Sequence, residues 1–380
     1  MKFAPYILKT LWRHRSRTFL TVSGATVAIY VFCFIGSIQE GMNDLQRRQT
    51  AKNSLIVFQA NKFCPATSHL PQDYQDKIKA LNGVRDVVPI QVYTNNCRAS
   101  LDVVVFYGLP PRQLRSARDD FQLTAGSWDE FESHQDTGIV GEAVAIRRNI
   151  KVGQKFTIGD LTVTVAGIFR SDDPAEENYV YSHLDFLQRT RGMDLVGTVT
   201  QLEVLLDPSV DGVALSKSID EMFRTGPVET DTKPKGVFQA KSLGDLTQLI
   251  AMADYLGFAC IGLVLTLVAT TTVMSVQDRV KEHAILQTIG VSMRRVFLMV
   301  IMESLILSTL GGLIGAIGAL ITLHFTRLSI GAEAVTIAFT PSWGLFLNSL
   351  LVAVVTGVVA GVAPALHASR VEIVPALRSG

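Results

Sequence analysis

The stretch RVKEHAILQTIGVSMRRV, residues 279–296, places charged residues between two long apolar segments of the chain. The whole sequence of 380 residues is 48% hydrophobic and 18% charged. Soluble domains contain about 25% charged residues, so this composition predicts a membrane protein. The charged stretch is then predicted to be a loop between two membrane-spanning helices.

Four apolar segments are long enough to cross a hydrocarbon core of about 30 Å, which takes about 20 helical residues. They are residues 18–38, 249–276, 296–325 and 343–365. The first lies where a signal peptide would lie, but its apolar part is too long and no small-residue cleavage site follows it. It is therefore predicted to be an uncleaved anchor.

Lysine and arginine are concentrated in the N-terminal segment, in the loop after the second span and in the tail. These residues favour the cytoplasmic side of a membrane. Between the third and fourth spans we find only Arg327. The basic residues are Lys2, Lys9, Arg13, Arg15, Arg17, Arg279, Lys281, Arg294, Arg295, Arg370 and Arg378. Both chain ends and the loop after the second span are thus predicted to be cytoplasmic.

The predicted fold class is a membrane α-helical protein with four transmembrane helices, one plus three. A large extracytoplasmic α+β domain is inserted between helices one and two. The predicted divisions are an amphipathic cytoplasmic segment 1–17, helix one 18–38, the outer domain 39–248, helix two 249–276, a cytoplasmic loop 277–295, helix three 296–325, a short outer loop 326–342, helix four 343–365 and a cytoplasmic tail 366–380.

The outer region alternates patterns typical of strands and helices. SLIVFQ and LDVVVFYGL predict strands, PQDYQDKIKAL and SVDGVALSKSIDEMF predict helices, and KFTIGDLTVTVAGIF predicts a hairpin turning at Gly159 and Asp160. GPVETDTKPKG has the composition of a loop. A region of this length can form its own core, in one lobe or two.

The outer domain contains Cys64 and Cys97, while Cys33 and Cys260 fall in spans. In an oxidising exterior the outer pair could form a disulfide worth about 3 to 4 kcal/mol in the chain-entropy model. Two buried free thiols are the alternative. No Cys or His spacing indicates a metal site.

Several enzyme motifs are absent from the sequence. It has no GxxxxGK[ST] phosphate-binding loop, no HExxH, no GxSxG and no GxGxxG. The formal net charge of +1 does not favour a nucleic-acid partner. Glu303 and His324 fall inside the third span, where ionisable residues are functional candidates, although both are near enough to a span end to reach water.

Small residues recur at the spacing that lets helices approach closely in lipid. These are Gly24 with Ala28, Gly311 with Gly315, and Gly357 with Gly361. Each pair is open to two interpretations, packing within one chain or a seam between two copies.

On a helix, the residues Glu282, Ile285, Leu286 and Ile289 share one face. Gly290 is a natural helix terminator, and Ser292 can cap the next helix. A helix this short has no core of its own, so it lies along lipid headgroups or docks in a partner. A carboxylate within its apolar stripe favours a protein groove that offers a basic group.

The same residues carry a resemblance to a known family. RVKEHAILQTIGVSMRRVFLMVIMESLILSTLGGLIG resembles the motif between the second and third spans of FtsX/MacB-type permeases of ATP-binding cassette (ABC) transporters. The tail GVAPALHASRVEIVPALR is similar to the closing motif of that family, and GIVGEAVAIRRNIKVGQKFTIGDLTVTVAGIF to its MacB-like periplasmic domain. Glu372 to Pro375 departs from the usual Asp-Pro-Val-Glu.

The resemblance implies a permease subunit in a bacterial cytoplasmic membrane, with ATP and Mg bound by a separate cytoplasmic ABC ATPase. It implies a second permease copy or paralogue and admits a periplasmic adaptor. The residues expected to act in ATPase coupling are Arg279, Lys281, Glu282, Ile285, Leu286, Ile289, Gly290 and Arg294. Arg279, Lys281 and Arg294 are expected to face headgroups or the partner.

Three functions follow from these observations. The first is ATP-driven movement of the outer domain for export or extraction of a substrate, with no catalysis in this chain. The second is a signalling permease that activates a cell-wall hydrolase outside the membrane. The third, an intramembrane enzyme built on Glu303 or His324, is the least favoured.

Overall fold

The structure is a computed structural model. It describes residues 12–13, 15–51, 54–62, 67–94, 100–101, 103–242, 244–332 and 335–369. The chain divides into two compact units. The helical unit comprises residues up to 37, 250–325 and from 341 onward, and the α+β unit comprises residues 38–249 and 326–340.

The described helices are numbered in chain order. They are α1 (Arg15–Ala51), α2 (Tyr74–Lys79), α3 (Pro111–Ala117), α4 (Trp128–Ser133), α5 (Glu142–Arg148), α6 (Leu184–Arg191), α7 (Gly212–Phe223), α8 (Lys235–Ser242), α9 (Gly244–Asp278), α10 (Val280–Thr288), α11 (Met293–Thr326) and α12 (Trp343–Ser369). Two short 3₁₀ turns cover Glu176–Asn178 and Met193–Leu195.

The described strands are numbered in the same way. They are β1 (Ser54–Gln59), β2 (Leu70–Pro71), β3 (Val84–Thr94), β4 (Ser100–Leu101), β5 (Val105–Leu109), β6 (Gln122–Gly126), β7 (Thr137–Gly141), β8 (Lys155–Ile158), β9 (Leu161–Arg170), β10 (Tyr179–His183), β11 (Thr198–Val199), β12 (Gln201–Leu206), β13 (Thr230–Pro234), β14 (Ser329–Ala332) and β15 (Val335–Ala338).

Four of the described helices are long and apolar enough to cross a membrane, which confirms the predicted fold class. They are the α1, α9, α11 and α12 segments Arg15–Leu45, Ala251–Asp278, Met293–Thr326 and Trp343–Ser369. A buried seam of Ile29, Cys33, Ala316, Leu345 and Ala353 joins α1, α11 and α12. Each helix is longer than its predicted apolar span, because the polar residues that end a span do not break a helix.

The α+β unit is built on a ten-stranded sheet of described strands. Its order is β13-β1-β12-β3-β5-β10-β7-β9-β6, with β8 paired to β9. The long strand β3 joins two halves of the sheet, because its first part pairs with β12 and its last four residues pair with β5. The β5–β10 and β7–β9 pairs are parallel, and the other pairs in this sheet are antiparallel.

Apolar cores lie on the sheet in each half. On the β1–β12 side, Tyr74 and Ile78 of α2 pack with Ile219 and Phe223 of α7. On the other side, Phe131, Phe169 and Tyr181 are fully buried. The alternating burial of β8 and β9 matches the predicted hairpin, whose turn residue Gly159 has φ +57°.

Two segments differ from the sequence prediction. GPVETDTKPKG contains the edge strand β13, paired with β1, followed at once by α8. Pro234 has no backbone N–H to donate. An edge strand tolerates this, because no further strand pairs with its outer side. Within 326–342, predicted as a short outer loop, β14 and β15 form a hairpin that also pairs with β4.

The small residues in the spans contact neighbouring helices of the same chain. Gly24 of α1 faces Leu267 of α9, and Ala28 packs in the same α1–α9 cluster. Gly311 and Gly315 of α11 lie against the α1 backbone, and Gly357 and Gly361 of α12 lie against α11 near Ser304 and Ser308. Close approach of helix backbones therefore depends on these positions.

We expect Gly315→Ala to lower the free energy of unfolding of the detergent-solubilised chain by about 1 to 3 kcal/mol, and its unfolding temperature with it. An added Cβ would lie 2.5 Å from the Thr26 carbonyl oxygen of α1, a backbone atom that cannot move alone. The control is Gly262→Ala on α9, where an added Cβ meets nothing within 4 Å. Equal unfolding temperatures for the two variants would contradict the close contact.

Candidate functional site

The short helix α10 connects α9 to α11. Arg279 is its N-cap residue, and Glu282 lies in its first turn, where the helix dipole favours a negative charge. At its other end Gly290 has φ +96°. The Val291 amide donates to the Leu286 carbonyl at 3.0 Å and the Gly290 amide to the Gln287 carbonyl at 3.0 Å. This is a Schellman ending that favours glycine at position 290, as the sequence predicted.

One side of α10 packs on the helical unit and the other is exposed. Ala284 is buried, and Leu286 packs with Val291 against a cluster that includes Val296 and Met299. Ile285 is 48% exposed and Ile289 is 76% exposed. The predicted stripe therefore divides: Leu286 holds the helix in place, while the two isoleucines are exposed.

Charged residues also lie on α10 and on the helices that adjoin it in the chain. The side chain of Glu282 is 44% exposed, with one oxygen 3.8 Å from Arg13 Nη1. Arg17 Nη1 donates to Asp278 Oδ2 at 2.9 Å. Lys281 and Arg294 are exposed, and their role toward headgroups or a partner stays a prediction. The surface of α10 thus offers two apolar side chains, a carboxylate and nearby cations.

Arg279 is placed differently from the prediction that it faces headgroups or a partner. It is buried, and its Nη2 donates to the two oxygens of Glu303 in α11 at 2.7 and 2.5 Å. Ser275 of α9 donates to Glu303 Oε1 at 2.8 Å and accepts from the Arg279 guanidinium. The physical reason is that a buried carboxylate lies opposite the start of α10, and pairing it with Arg279 removes two unpaired charges at once.

The Arg279–Glu303 pair connects three helices. Ser275 belongs to α9, Arg279 begins α10 and Glu303 belongs to α11. Since both charges are buried and satisfied by each other, Glu303 has the surroundings of a structural group rather than an acid or base open to substrate. The position of α10 therefore depends on this pair.

We expect Glu303→Gln to destabilise the chain by roughly 3 to 5 kcal/mol, because it leaves Arg279 buried without its counter-charge. The double variant Arg279→Met, Glu303→Met removes both charges and is expected to recover most of that loss. The measurement is thermal unfolding of the detergent-solubilised chain.

The matched control is Asp278→Asn, which breaks the more exposed Arg17–Asp278 pair and is expected to cost less than about 1 kcal/mol. A loss for Glu303→Gln no larger than that of the control would mean that the pair does not hold the helices.

A second charged cluster lies inside the α+β unit. Arg118 Nη2 donates to Glu203 Oε2 at 2.8 Å, and Lys235 Nζ donates to Glu203 Oε1 at 2.9 Å. Glu176 lies 3.5 Å from Arg118 and accepts a hydrogen bond from Tyr181. All five side chains are buried. They line a cavity of about 20 Å³, room for about one water molecule.

The charges in this cluster compensate one another. Burial alone would raise the pKa of Glu203, but Arg118 and Lys235 outweigh it and lower that pKa to about 2. Burial and the Glu176 carboxylate raise the pKa of the Tyr181 hydroxyl well above its ordinary value. Sequence reasoning missed this cluster, although one signal was present: Glu203 is a single carboxylate within the apolar strand pattern QLEVLL.

We expect Glu203→Gln to destabilise the α+β unit by roughly 3 to 5 kcal/mol, since Arg118 and Lys235 would share one remaining carboxylate. Because the folded-state pKa of Glu203 is about 2 and its ordinary value about 4.3, its stabilisation is present above pH 4.3 and lost as the pH falls toward 2. The variant should lose less stability than the wild type across that window.

Hydrogen exchange of β5 and β12 in the solubilised chain measures both effects. The control is Glu221→Gln, which breaks the exposed pair with Arg224. Exchange rates and acid sensitivity equal to those of the control would contradict the role given to the buried cluster.

Other predicted sites have simpler outcomes. Cys64 and Cys97, residues 1–11 and the tail 370–380 lie outside the described residues, so the predicted disulfide and most of the amphipathic segment stay predictions. His324 is exposed near the end of α11. Among the described side chains no group of three or more His, Cys, Asp or Glu is arranged to hold a metal ion.

Two family models match the chain. The MacB-like periplasmic core domain matches residues 18–222, more than half of the sequence. The FtsX-like permease C-terminal model matches residues 255–373, which contain α10, Arg279 and Glu303. Together the two models cover most of the chain.

Curated relatives match over nearly the whole chain. An uncharacterized ABC transporter permease of Methanocaldococcus jannaschii is 22% identical, covering 98% of this chain and 96% of the relative. The macrolide export ATP-binding/permease protein MacB of Nitrosomonas europaea is 20% identical, covering 98% of this chain and 58% of the relative. The macrolide export ATP-binding/permease protein MacB of Haemophilus ducreyi is 24% identical, and the match covers 96% of this chain and 54% of the relative. The chain thus spans just over half the length of the two MacB relatives.

Among solved structures, the periplasmic region of MacB from Actinobacillus actinomycetemcomitans is 13% identical, with a TM-score of 0.36. It covers 54% of this chain and 95% of that region.

Proposed function

The chain belongs to the FtsX/MacB-type permease family of ABC transporters, and we propose that a cytoplasmic ATPase moves its α+β unit by acting on α10. The observation that carries the proposal is the exposed surface of α10. It presents the side chains of Ile285, Ile289 and Glu282. Exposed isoleucines beside a carboxylate fit a protein groove with an apolar floor and a basic rim.

The ATPase is proposed to be a separate chain. The sequence contains no phosphate-binding loop, and the Methanocaldococcus jannaschii relative, 96% of which is matched, is named a permease. The MacB relatives are named ATP-binding/permease proteins, and the match covers only 58% and 54% of their lengths. ATP and Mg are therefore expected on the partner, where hydrolysis supplies the free energy for movement.

The buried pair gives α10 a mechanical connection to the spans. A force applied to the exposed isoleucines reaches Arg279 at the first turn and, through Glu303 and Ser275, both α11 and α9. Leu286 and Val291 transfer it to the adjoining apolar cluster. Such a helix can pass a displacement on without any solute path between the spans.

The assembly and location follow from the same proposal. α10 and both chain ends lie in the cytoplasm of a bacterial cell with the chain in its inner membrane, and the α+β unit lies outside. A second permease, a copy or a paralogue, and a periplasmic adaptor would complete the transporter. The match of the MacB-like periplasmic core model favours export or extraction of a substrate over activation of a hydrolase.

The test is to purify the tagged chain from its native membranes in mild detergent and to identify its partners by mass spectrometry. We expect a P-loop ATPase with the wild type and at least a tenfold loss of it in Ile285→Ala, Ile289→Ala, since two truncated contacts cost about 1 to 3 kcal/mol each at an interface.

The control is Ile314→Ala, Ile317→Ala, which removes two exposed isoleucines of similar size from the span α11. It should retain the ATPase in full. Repeated recovery of the intact chain with no ATPase, or full ATPase recovery with the α10 variant, would remove the assignment.

A further inference from the structure

The chain passes between the helical unit and the α+β unit at four points, at residues 37/38, 249/250, 325/326 and 340/341. Two parts of the α+β unit lie next to these points along the chain. The helix α8 leads directly into α9, and the hairpin β14–β15 connects α11 to α12. Both are bonded to one short segment of the α+β unit, residues 173–178, which we name the relay turn.

The first connection runs from the relay turn to α8. Glu176 in the turn lies 3.8 Å from the ammonium of Lys235, the first residue of α8. Lys235 also donates to Glu203 at 2.9 Å, and all three side chains are buried. Seven further residues of α8 follow Lys235, and α9, which contains the second span, begins at Gly244.

The second connection runs from the relay turn to the hairpin. The Thr336 hydroxyl of β15 donates to the Ala175 carbonyl at 3.1 Å. The Thr336 amide donates to the hydroxyl of Tyr179, the residue that follows the turn, at 3.2 Å. Both contacts are buried, so breaking either one leaves a polar group without its partner.

A third connection involves Arg327, the residue after α11. Its φ is +46°, a left-handed conformation that few non-glycine residues adopt without supporting contacts. Its guanidinium lies 3.4 Å from Glu177 and 3.8 Å from Glu142. Its carbonyl accepts from Arg147 Nη1 at 2.8 Å, and the same nitrogen donates to Asn178 at 2.7 Å.

The relay turn is itself closed by short-range bonds. Asp173 Oδ1 accepts from the Ala175 amide at 3.0 Å, and the Asn178 side chain donates to the Pro174 carbonyl at 2.9 Å. Asp173, Glu176, Glu177 and Asn178 are all buried. A segment whose buried polar groups are satisfied in one arrangement moves as a body more readily than it deforms.

We infer that the relay turn links the β14–β15 hairpin to α8. Displacement of the hairpin, which connects α11 to α12, is then passed through the turn to α8 and the start of α9. This inference rests on the proposed function, which supplies the displacement. Glu176, Glu177 and Asn178 are positioning residues in this account. Arg327 connects the end of α11 to the relay turn, so a displacement of that helix end reaches Glu177.

The test is hydrogen exchange of the full chain purified with its ATPase, with and without a non-hydrolysable ATP analogue and Mg. In the wild type we expect nucleotide to change exchange in three places together: the hairpin 329–338, the turn 173–178 and α8. In Arg327→Gln we expect the hairpin to respond, while the response of the turn and α8 falls at least threefold.

The matched control is Arg170→Gln. Arg170 pairs with the same Glu142, at 2.8 Å, but it ends β9 inside the ten-stranded sheet, whereas Arg327 follows α11. It should respond like the wild type. Unchanged exchange of β5 and β10 shows that the variants are folded, and Thr336→Val, which cuts a different bond of the same route, should repeat the loss.

The inference is overturned if the turn and α8 respond in Arg327→Gln as they do in the wild type. It is overturned equally if the ATPase is bound and nucleotide changes none of the three segments. Failure of the proposed function gives a different result, because no ATPase is then recovered with the purified chain.

Discussion

The ion pair between Arg279 and Glu303 is the contact on which the position of α10 depends. Charges buried among apolar helices are tolerated only when paired and hydrogen-bonded, and here one carboxylate accepts from Arg279 and Ser275 at once. The pair fixes where α10 begins, and Gly290 fixes where it ends. Between those points the chain can expose two isoleucines and Glu282 without losing the position of the helix.

Local patterns were sufficient to predict much of this architecture. The lengths of the apolar runs predict the four long helices, and Gly290 predicts the end of α10, because both depend on neighbours in sequence. The partner of Arg279 could not be predicted in this way, since it is 24 residues away and on another helix. Charge spacing shows which residues share a face, but not what lies opposite that face.

The same limit explains the α+β unit. The hairpin at Gly159 and the helix after Asp211 follow from turn and capping residues, whereas β13 was taken for a loop because its pairing with β1 joins distant segments. Glu203 meets Arg118 across 85 residues of chain, and Arg327 meets Glu177 across 150. Contacts of this range join segments that no local pattern in the sequence relates.

The proposed function requires that the exposed face of α10 meets an ATPase. Its most direct test is a photo-reactive amino acid at position 289, with the same group at position 317 of α11 as reference. We expect a cross-link from position 289 to a P-loop ATPase in native membranes and none from position 317. Cross-links from position 289 to lipid alone, in cells that contain the intact chain, would contradict it.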